Sequence, residues 1–561
     1  MTTDLETAGP GTGRDHAGAA SGGLRLVETV TGPATPAEVR DAVTEVLAAH
    51  SPVTAWHTAD APDGLSRAMG IRIAGHRVHL ALEPAAPARH RTLDPVVPEP
   101  ALWRTSVLSD APAGAALPAP VRQIVAAVRE RADRLTREEV AAVWSSMPLL
   151  RHFADRGPQI GDWALVFRDH YVENSVGFLL AAERAGIPAE WIYALAKGDR
   201  TAGRHRVHAW FRARGYRSAV LDNSVIDGTA PGQEVAAAQV VAADVDRFIA
   251  AAHRAGRRVL VIDDGGLLAR AQGPARLVSE PVDAVVELTV SGLKRIGAGA
   301  LPSIPVFNIA RSQLKSLLSY EEIADSCLRR LRELVPGQKF IGRRVVAVGF
   351  GTLGSRLARR LRSLGCRVTV VDQDTLALIQ AAEQGFETEP TLAAALRRCT
   401  PFLVTGSTGE PLLGGEELAL LPDGVLLAGF ATKDFSLLST GGAGDGAETL
   451  TGVGVRYRLP DGGRATLLGD GRSLNLFDYE GIPNGGYDAY RAGTLIAVRE
   501  LCRRADTLAP GVHVDEVDEA VRTAGLFEAY YDTYIADTAP GRAGAAPQAA
   551  AAATAAGAAR P

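Results

Sequence analysis

The 561-residue chain is short of both cysteine and lysine. Its four cysteines, Cys327, Cys366, Cys399 and Cys502, stand far apart with no C-x-x-C pairing, which argues against a structural zinc and for a reducing compartment. Of the 60 basic residues only five are lysines, Lys197, Lys294, Lys315, Lys339 and Lys433, so each merits inspection. No basic tract occurs and the net charge is −4, which excludes an extended nucleic-acid surface. No uninterrupted apolar run reaches membrane-spanning length, and the opening Met-Thr-Thr-Asp-Leu-Glu lacks the apolar core of a secretory signal. These absences predict a cytoplasmic protein with neither membrane nor nucleic-acid partners. The length and the 46% hydrophobic content predict two or three domains with sizeable cores.

What the chain does have is a glycine-rich motif in a complete setting. Val345 to Val348 is an apolar β-branched run suited to a buried parallel strand. Gly349, Gly351 and Gly354 follow at G-x-G-x-x-G spacing, with Thr352 and Leu353 between them, and lead into an amphipathic helix over 355–364. A second strand, Arg367 to Val371, ends at Asp372. In this pattern the first glycine permits a tight turn, the second lets a pyrophosphate approach the backbone, and the third lets helix and strand pack closely. The helix N-terminus faces the phosphates, and the acid accepts from a ribose 2′-hydroxyl. The motif predicts a dinucleotide site, and Asp372 favours NAD because it would repel a 2′-phosphate.

Around this motif strands and helices alternate. Strands are expected at Trp163–Phe167, Glu190–Leu195, Ser218–Leu221, Arg258–Ile262, Ala284–Leu288, Val306–Ile309, Phe402–Thr405 and Gly424–Phe430, with helices over 173–185 and 314–334. Tyr457–Leu459 and Ala465–Leu468 flank a Pro-Asp-Gly-Gly turn and read as a hairpin. The fold class expected is α/β, two doubly wound parallel-sheet domains that bind ligands at the carboxyl ends of their strands. A small α+β extension over 24–82 precedes them. Within it Thr35-Pro36-Ala37-Glu38 opens a helix and Gly70–Leu82 forms a strand bent at Ala74-Gly75. His76 and His79, three apart on a strand, point to opposite faces and make no metal site. The expected domains are a disordered segment at 1–23, the extension, a Pro/Ala-rich linker at 83–120, a substrate-binding domain at 121–335 and a Rossmann domain at 336–474. A return to the substrate domain at 475–538 and a disordered tail at 539–561 follow. Helical patterns run over 121–153, with Thr136 to Glu139 as a capping box, and Ser319 with Glu322 makes another.

Several strand-end segments occur in a recognisable order: Asp263-Asp264-Gly265-Gly266, Glu287-Leu288-Thr289-Val290-Ser291-Gly292, Phe307-Asn308 with Ser312 and Lys315, the glycine motif, Arg456-Tyr457-Arg458-Leu459, Gly471-Arg472 and Asn475-Leu476. Over residues 145–505 the chain resembles the S-adenosylhomocysteine hydrolase family. The resemblance implies NAD held between a substrate domain and a Rossmann domain, in a subunit that assembles as a dimer or tetramer. It also implies a nucleoside-like small-molecule substrate that is oxidised at its 3′-hydroxyl, undergoes elimination and addition at the 5′ position, and is then reduced again. Carried over by position, Gly349, Gly351, Gly354 and Asp372 match the phosphate turn and ribose acid. Thr289 and Ser291 match hydroxyls that contact NAD, and Asn475 matches an asparagine at the nicotinamide amide. Asp264 and Lys315 match the substrate-domain aspartate and the lysine that assists oxidation.

The departures lie on the chemical side. The family's glutamate before the threonine run is Leu288 here, with Glu287 one place earlier and facing the other way. Its Asp-Asn pair is Ser319-Tyr320, and three of its histidines map to Asp169 (beside His170), Thr432 and Ile482. The lysine and tyrosine that a neighbouring subunit lends to NAD have no match, since no lysine follows Lys433. Asp169, His170 and Glu173, or Asp478, Tyr479 and Glu480, are candidate replacements. The chain is expected to use bound NAD for oxidation and elimination on a nucleoside or related small molecule, with ordinary S-adenosylhomocysteine hydrolysis doubtful. The alternatives are a silent NAD-binding regulator and a true hydrolase with rearranged groups.

Overall fold

Among the described residues, short strands closed by turns build three sheets. The computed structural model describes residues 23–32, 34, 36–50, 53–60, 67–85, 102–112, 116–132, 135–198, 201, 203–227, 230, 232–267, 278–297, 303–431, 433–439, 447–450, 452–469, 471, 473–477 and 481–536. Of the terminal segments expected to be disordered, residues 1–22 and 539–561 lie outside the described residues, as do Thr432, Arg472 and residues 478–480.

The chain divides into two compact units. The first holds β1 (Arg25–Gly32), β2 (Val53–Asp60), β3 (Arg67–Ile73), β4 (His76–Ala85) and β5 (Leu102–Ser109) in an antiparallel sheet of order β1-β5-β4-β3-β2, with helices Pro36–Ala48 and Ala119–Ala132. Alternation puts Met69, Ile71, Ile73, Val78, Leu80 and Leu82 on one face, where they pack with Val39, Val43, Val121, Ile124 and Val128 of the helices. Three expectations change here. The segment read as a linker contains β5, which lies between β1 and β4. The extension therefore does not close at 82, because the helix Ala119–Ala132, assigned to the substrate domain from sequence, completes its core. The expected bent strand is a hairpin whose two-residue turn puts both Ala74 and Gly75 at positive φ.

The second unit contains one parallel sheet and one that is parallel over six of its eight strands. One consists of β6 (Trp163–Asp169), β7 (Ile192–Ala196), β8 (Arg217–Val220), β9 (Arg258–Asp263), β10 (Ala284–Glu287), β11 (Pro305–Asn308) and β20 (Gly511–His513), in the order β20-β11-β10-β9-β6-β7-β8. The other consists of β12 (Arg344–Val348), β13 (Arg367–Val371), β14 (Glu387–Glu389), β15 (Leu403–Gly406), β16 (Val425–Gly429), β17 (Glu448–Leu450), β18 (Gly454–Arg458) and β19 (Arg464–Leu468), in the order β14-β13-β12-β15-β16-β19-β18-β17. Its first six strands are parallel in the doubly wound order 3-2-1-4-5-6, and β18 and β19 form the expected hairpin. The strand order reverses between β6 and β9 in one sheet and between β12 and β15 in the other. Crevices at such reversals, beyond the carboxyl ends of the strands, are where ligands bind in this architecture.

The helical stretch expected over 314–334 is broken at Ser319, whose φ of −133° and ψ of −44° end one helix (Gln313–Leu318) and start the next (Tyr320–Leu334). Ser319 makes no side-chain cap bond, so the expected capping box with Glu322 is not formed. The pattern over 121–153 likewise resolves into Ala119–Ala132, Arg137–Ser145 and Pro148–Ala154. Glu139, expected as a capping residue, has both carboxylate oxygens on the Arg206 guanidinium at 2.7 and 2.8 Å.

Candidate active site

The carboxyl ends of the parallel strands in the second unit's two sheets line one cavity of about 1550 Å³. On the Rossmann side Gly349 leaves β12 at φ +95°, which a side chain would strain. A Cβ on Gly354 would overlap the Gly349 carbonyl, whereas the Cα of Gly351 faces open space. The helix Thr352–Ser363 therefore starts close against the strand, and Thr352 and Leu353 of its first turn line the cavity. Asp372, at the tip of β13, accepts from the Phe350 N–H at 2.7 Å and from Asp374 N–H at 2.9 Å, which ties the acid to the glycine turn. A bare backbone turn, an open helix N-terminus and a carboxylate one strand away fit the phosphates and ribose of a dinucleotide.

Asn475 lies buried on the same cavity wall and accepts from Ser473 Oγ at 2.7 Å. Opposite the Rossmann turn, Thr289 and Ser291 line the wall at the start of the helix Val290–Gly297. Thr289 Oγ1 accepts from Ser291 Oγ at 3.1 Å and from Gly292 N–H at 2.9 Å. Every cofactor residue expected from sequence other than Gly354, which lies packed under the turn, lines this cavity.

Lys315 and Asp264 also reach it. Lys315 is buried, donates to the Leu288 carbonyl, and has its ammonium 5.7 Å from the Tyr320 ring centroid and 5.6 Å from that of Tyr490. Burial pulls its pKa below the ordinary lysine range, although the Asp264 and Asp169 carboxylates pull the other way. Asp264 ion-pairs with Lys197 and lies 3.8 Å from His170 Nε2. Burial alone would raise its pKa, but the Lys197 ammonium beside it, helped by Lys315, overcomes that and holds the carboxylate ionised. It does not take up the loop that follows: Asp263, bonded to the buried Arg168, accepts the Leu267 N–H.

The positions where the family's acid–base groups stand are engaged differently. Asp169 Oδ2 accepts from Arg491 Nη1 at 2.6 Å, and the same guanidinium, fully buried, bonds Asn174 and Ser175. Burial, reinforced by the Lys197 ammonium, lowers His170 to about 4, so its ring is neutral at physiological pH. Glu173 accepts from Asn484 at 2.9 Å, and Ser319 sits buried at the helix junction. Asp169, His170 and Asp264 bring one ligand atom each within 4.8 Å of one another, yet Arg491 and Lys197 already balance both carboxylates, which disfavours a metal there. Arg491 and Lys197 were not assigned from sequence. Lys197 was marked only by the scarcity of lysine, and nothing local marks Arg491.

Residues 323–480 match the family model for the NAD-binding domain of S-adenosyl-L-homocysteine hydrolase. The chain is similar, at low identity, to the adenosylhomocysteinases. It is 28% identical over 280 residues to an S-inosyl-L-homocysteine hydrolase of Methanopyrus kandleri, covering 48% of this chain and 64% of that one. With the adenosylhomocysteinase of Nostoc sp. identity is 26% over 413 residues, 69% of this chain and 88% of that one. The match to the Gloeothece citriformis adenosylhomocysteinase, at 26% identity, covers 47% of this chain and 62% of that one, so the chain spans less than two thirds of some of these relatives. Among solved structures, dipicolinate synthase A chain from Bacillus subtilis aligns at a TM-score of 0.33 and 12% identity over 62% of this chain and 98% of that one, too weak a likeness to carry an argument. The cofactor of this adenosylhomocysteinase-like protein is NAD.

Proposed function

We propose that the protein uses bound NAD for oxidation, followed by elimination, on a nucleoside or related hydroxylated small molecule, and that S-adenosylhomocysteine is not its efficient substrate. One observation supports this reading above others. Lys315 and Asp264 share a cavity with an intact dinucleotide turn, while Asp169 is bound up with Arg491 where a family histidine stands. Gly349, Gly351, Thr352, Leu353, Asp372, Thr289, Ser291 and Asn475 would hold NAD, which when bound supplies a hydride acceptor for a secondary alcohol. Lys315 Nζ, favoured in its neutral form by burial, takes the proton from that hydroxyl. The Asp264 carboxylate accepts from a neighbouring hydroxyl and orients the ligand, with Lys197 holding the carboxylate in place. Tyr320, Tyr487 and Tyr490 wall the site against water. Each missing acid or base costs about 10²–10⁴ in rate, and several differ together.

The family accommodates a change of base, since one relative acts on S-inosyl-L-homocysteine. The test is therefore a panel of adenosine, inosine and their homocysteine thioethers with the NAD-loaded protein. The expected result is absorbance at 340 nm with at least one nucleoside and little free homocysteine from either thioether. Homocysteine release at a rate matching adenosylhomocysteinase would overturn the reading in favour of a hydrolase. A flat 340 nm trace across the panel would leave a silent NAD-binding protein. Oligomerisation as a dimer or tetramer belongs to the same proposal and is read by light scattering.

A further inference from the structure

Glu287 is a buried acid whose part in the site is not accounted for by cofactor or substrate contact. It ends β10, is fully enclosed, and lies beneath the cavity wall rather than on it. Its Oε1 accepts from the Thr289 N–H at 2.8 Å and from Thr289 Oγ1 at 2.7 Å, and lies 3.4 Å from the Gly265 N–H. Its Oε2 has no hydrogen-bond partner among the described residues. Room for the carboxyl exists because residue 292 is glycine: a Cβ there would overlap it.

The consequence is a side-chain-pinned turn. Drawing the Thr289 N–H back onto Glu287 leaves the Leu288 carbonyl facing Lys315, which donates to it. The Thr289 hydroxyl, held by the same oxygen, accepts from Ser291 and from the Gly292 N–H and so opens the helix Val290–Gly297. The Asp264 side is tied in as well. The Gly265 carbonyl accepts from Arg295 of that helix, and a Cβ on Gly266 would come within 2.9 Å of the Gly292 Cα. Asp263, Asp264 and Lys315 are charged groups that interact with this carboxyl, and Arg168 is paired to Asp263.

We propose that Glu287 is a positioning residue: its carboxyl fixes the Leu288–Thr289 turn, and that turn sets both the Lys315 ammonium and the Thr289–Ser291 hydroxyls of the cofactor wall. The proposal rests on NAD binding and needs no substrate, so its failure is separable from failure of the proposed reaction. Two readouts on the full-length protein test it: the Kd for NAD⁺ by calorimetry, and the pH midpoint of Lys315 acetylation in competitive labelling of the five lysines, read by mass spectrometry. Glu287→Ala raises the Kd roughly tenfold and shifts the Lys315 midpoint by about one pH unit, as expected for a lost buried acceptor. Glu287→Gln keeps an acceptor oxygen at the turn and stays close to wild type in both. Thr289→Val keeps the backbone bond but not the hydroxyl, so it weakens NAD⁺ binding while leaving the Lys315 midpoint in place. A folded Glu287→Ala protein with both values unchanged would overturn the proposal, as would a Glu287→Gln protein with both values displaced. If Glu287→Ala does not fold, the other two variants decide: Thr289→Val must separate the readouts and Glu287→Gln must spare both.

Discussion

At Gly354 the absence of a single methyl group decides how near the helix Thr352–Ser363 comes to its strand, because a Cβ would overlap the Gly349 carbonyl. Gly354→Ala is therefore expected to push the helix away from the phosphate turn and weaken NAD⁺ binding by at least about tenfold, measured by calorimetry. Lys315→Ala is expected to lower any NAD⁺ reduction rate by about 10²–10⁴ while leaving the Kd for NAD⁺ little changed, and Lys315→Arg should not restore the rate because a guanidinium does not give up its proton. Asp434 carries a pH prediction. Burial raises its carboxyl from 3.8 to about 6, against bonds from the Gly409, Thr408 and Ala431 amides and the Thr408 hydroxyl. Since the folded-state value lies above the unfolded one, the proton stabilises the fold; that contribution is complete below about pH 4 and is lost as pH rises through about 6. The stability of wild type relative to Asp434→Asn, followed by urea unfolding, should fall across that window and be level above it. Residues of this kind differ in how far sequence could find them. Gly349, Gly351 and Asp372 answer to backbone needs within thirty positions of chain, so their spacing is informative. Arg491 meets Asp169 only because the end of β6 and the distant helix Asn484–Arg504 converge, and no local pattern encodes a contact of 322 residues' separation.

Elements differ in the same way. The parallel strands were legible because burial on both faces demands an unbroken apolar run. β5 was not, because its Leu-Trp-Arg-Thr-Ser-Val-Leu-Ser alternates behind a Pro- and Ala-rich approach and gains its partners from β1 and β4, up to 84 positions earlier. The break at Ser319 was hidden inside a continuous apolar periodicity. The helix Pro148–Ala154 offers a test of how such short elements are held. Its first-turn amides at Leu149 and Leu150 donate to the two oxygens of the buried Asp488, at 2.8 and 2.7 Å, and Tyr534 donates to the same carboxylate. Asp488→Ala leaves those donors without an acceptor and should cost about 1–3 kcal/mol of stability by denaturant titration, whereas Tyr534→Phe should cost about 0.5–1.5 kcal/mol.

For the whole molecule, two separately packed units predict two unfolding steps rather than one. NAD⁺ at a hundred times its Kd stabilises only the unit that binds it, by about 2.7 kcal/mol. In calorimetric scans one transition should therefore move with cofactor concentration while the transition of residues 23–132 stays in place; equal movement of both would contradict independent units.

The strand β20 joins the edge of its sheet beside β11, with Val306 opposite Val512, after the chain has passed through all eight strands of the other sheet. During synthesis the ribosome must therefore release more than 200 further residues after Asn308 before that sheet can acquire its last strand, while the nucleotide-binding sheet already has all of its own by Leu468. The earlier-made half is thus the later-finished one, and a chain released after truncation near residue 480 would carry every strand of the cofactor sheet beside an unfinished partner.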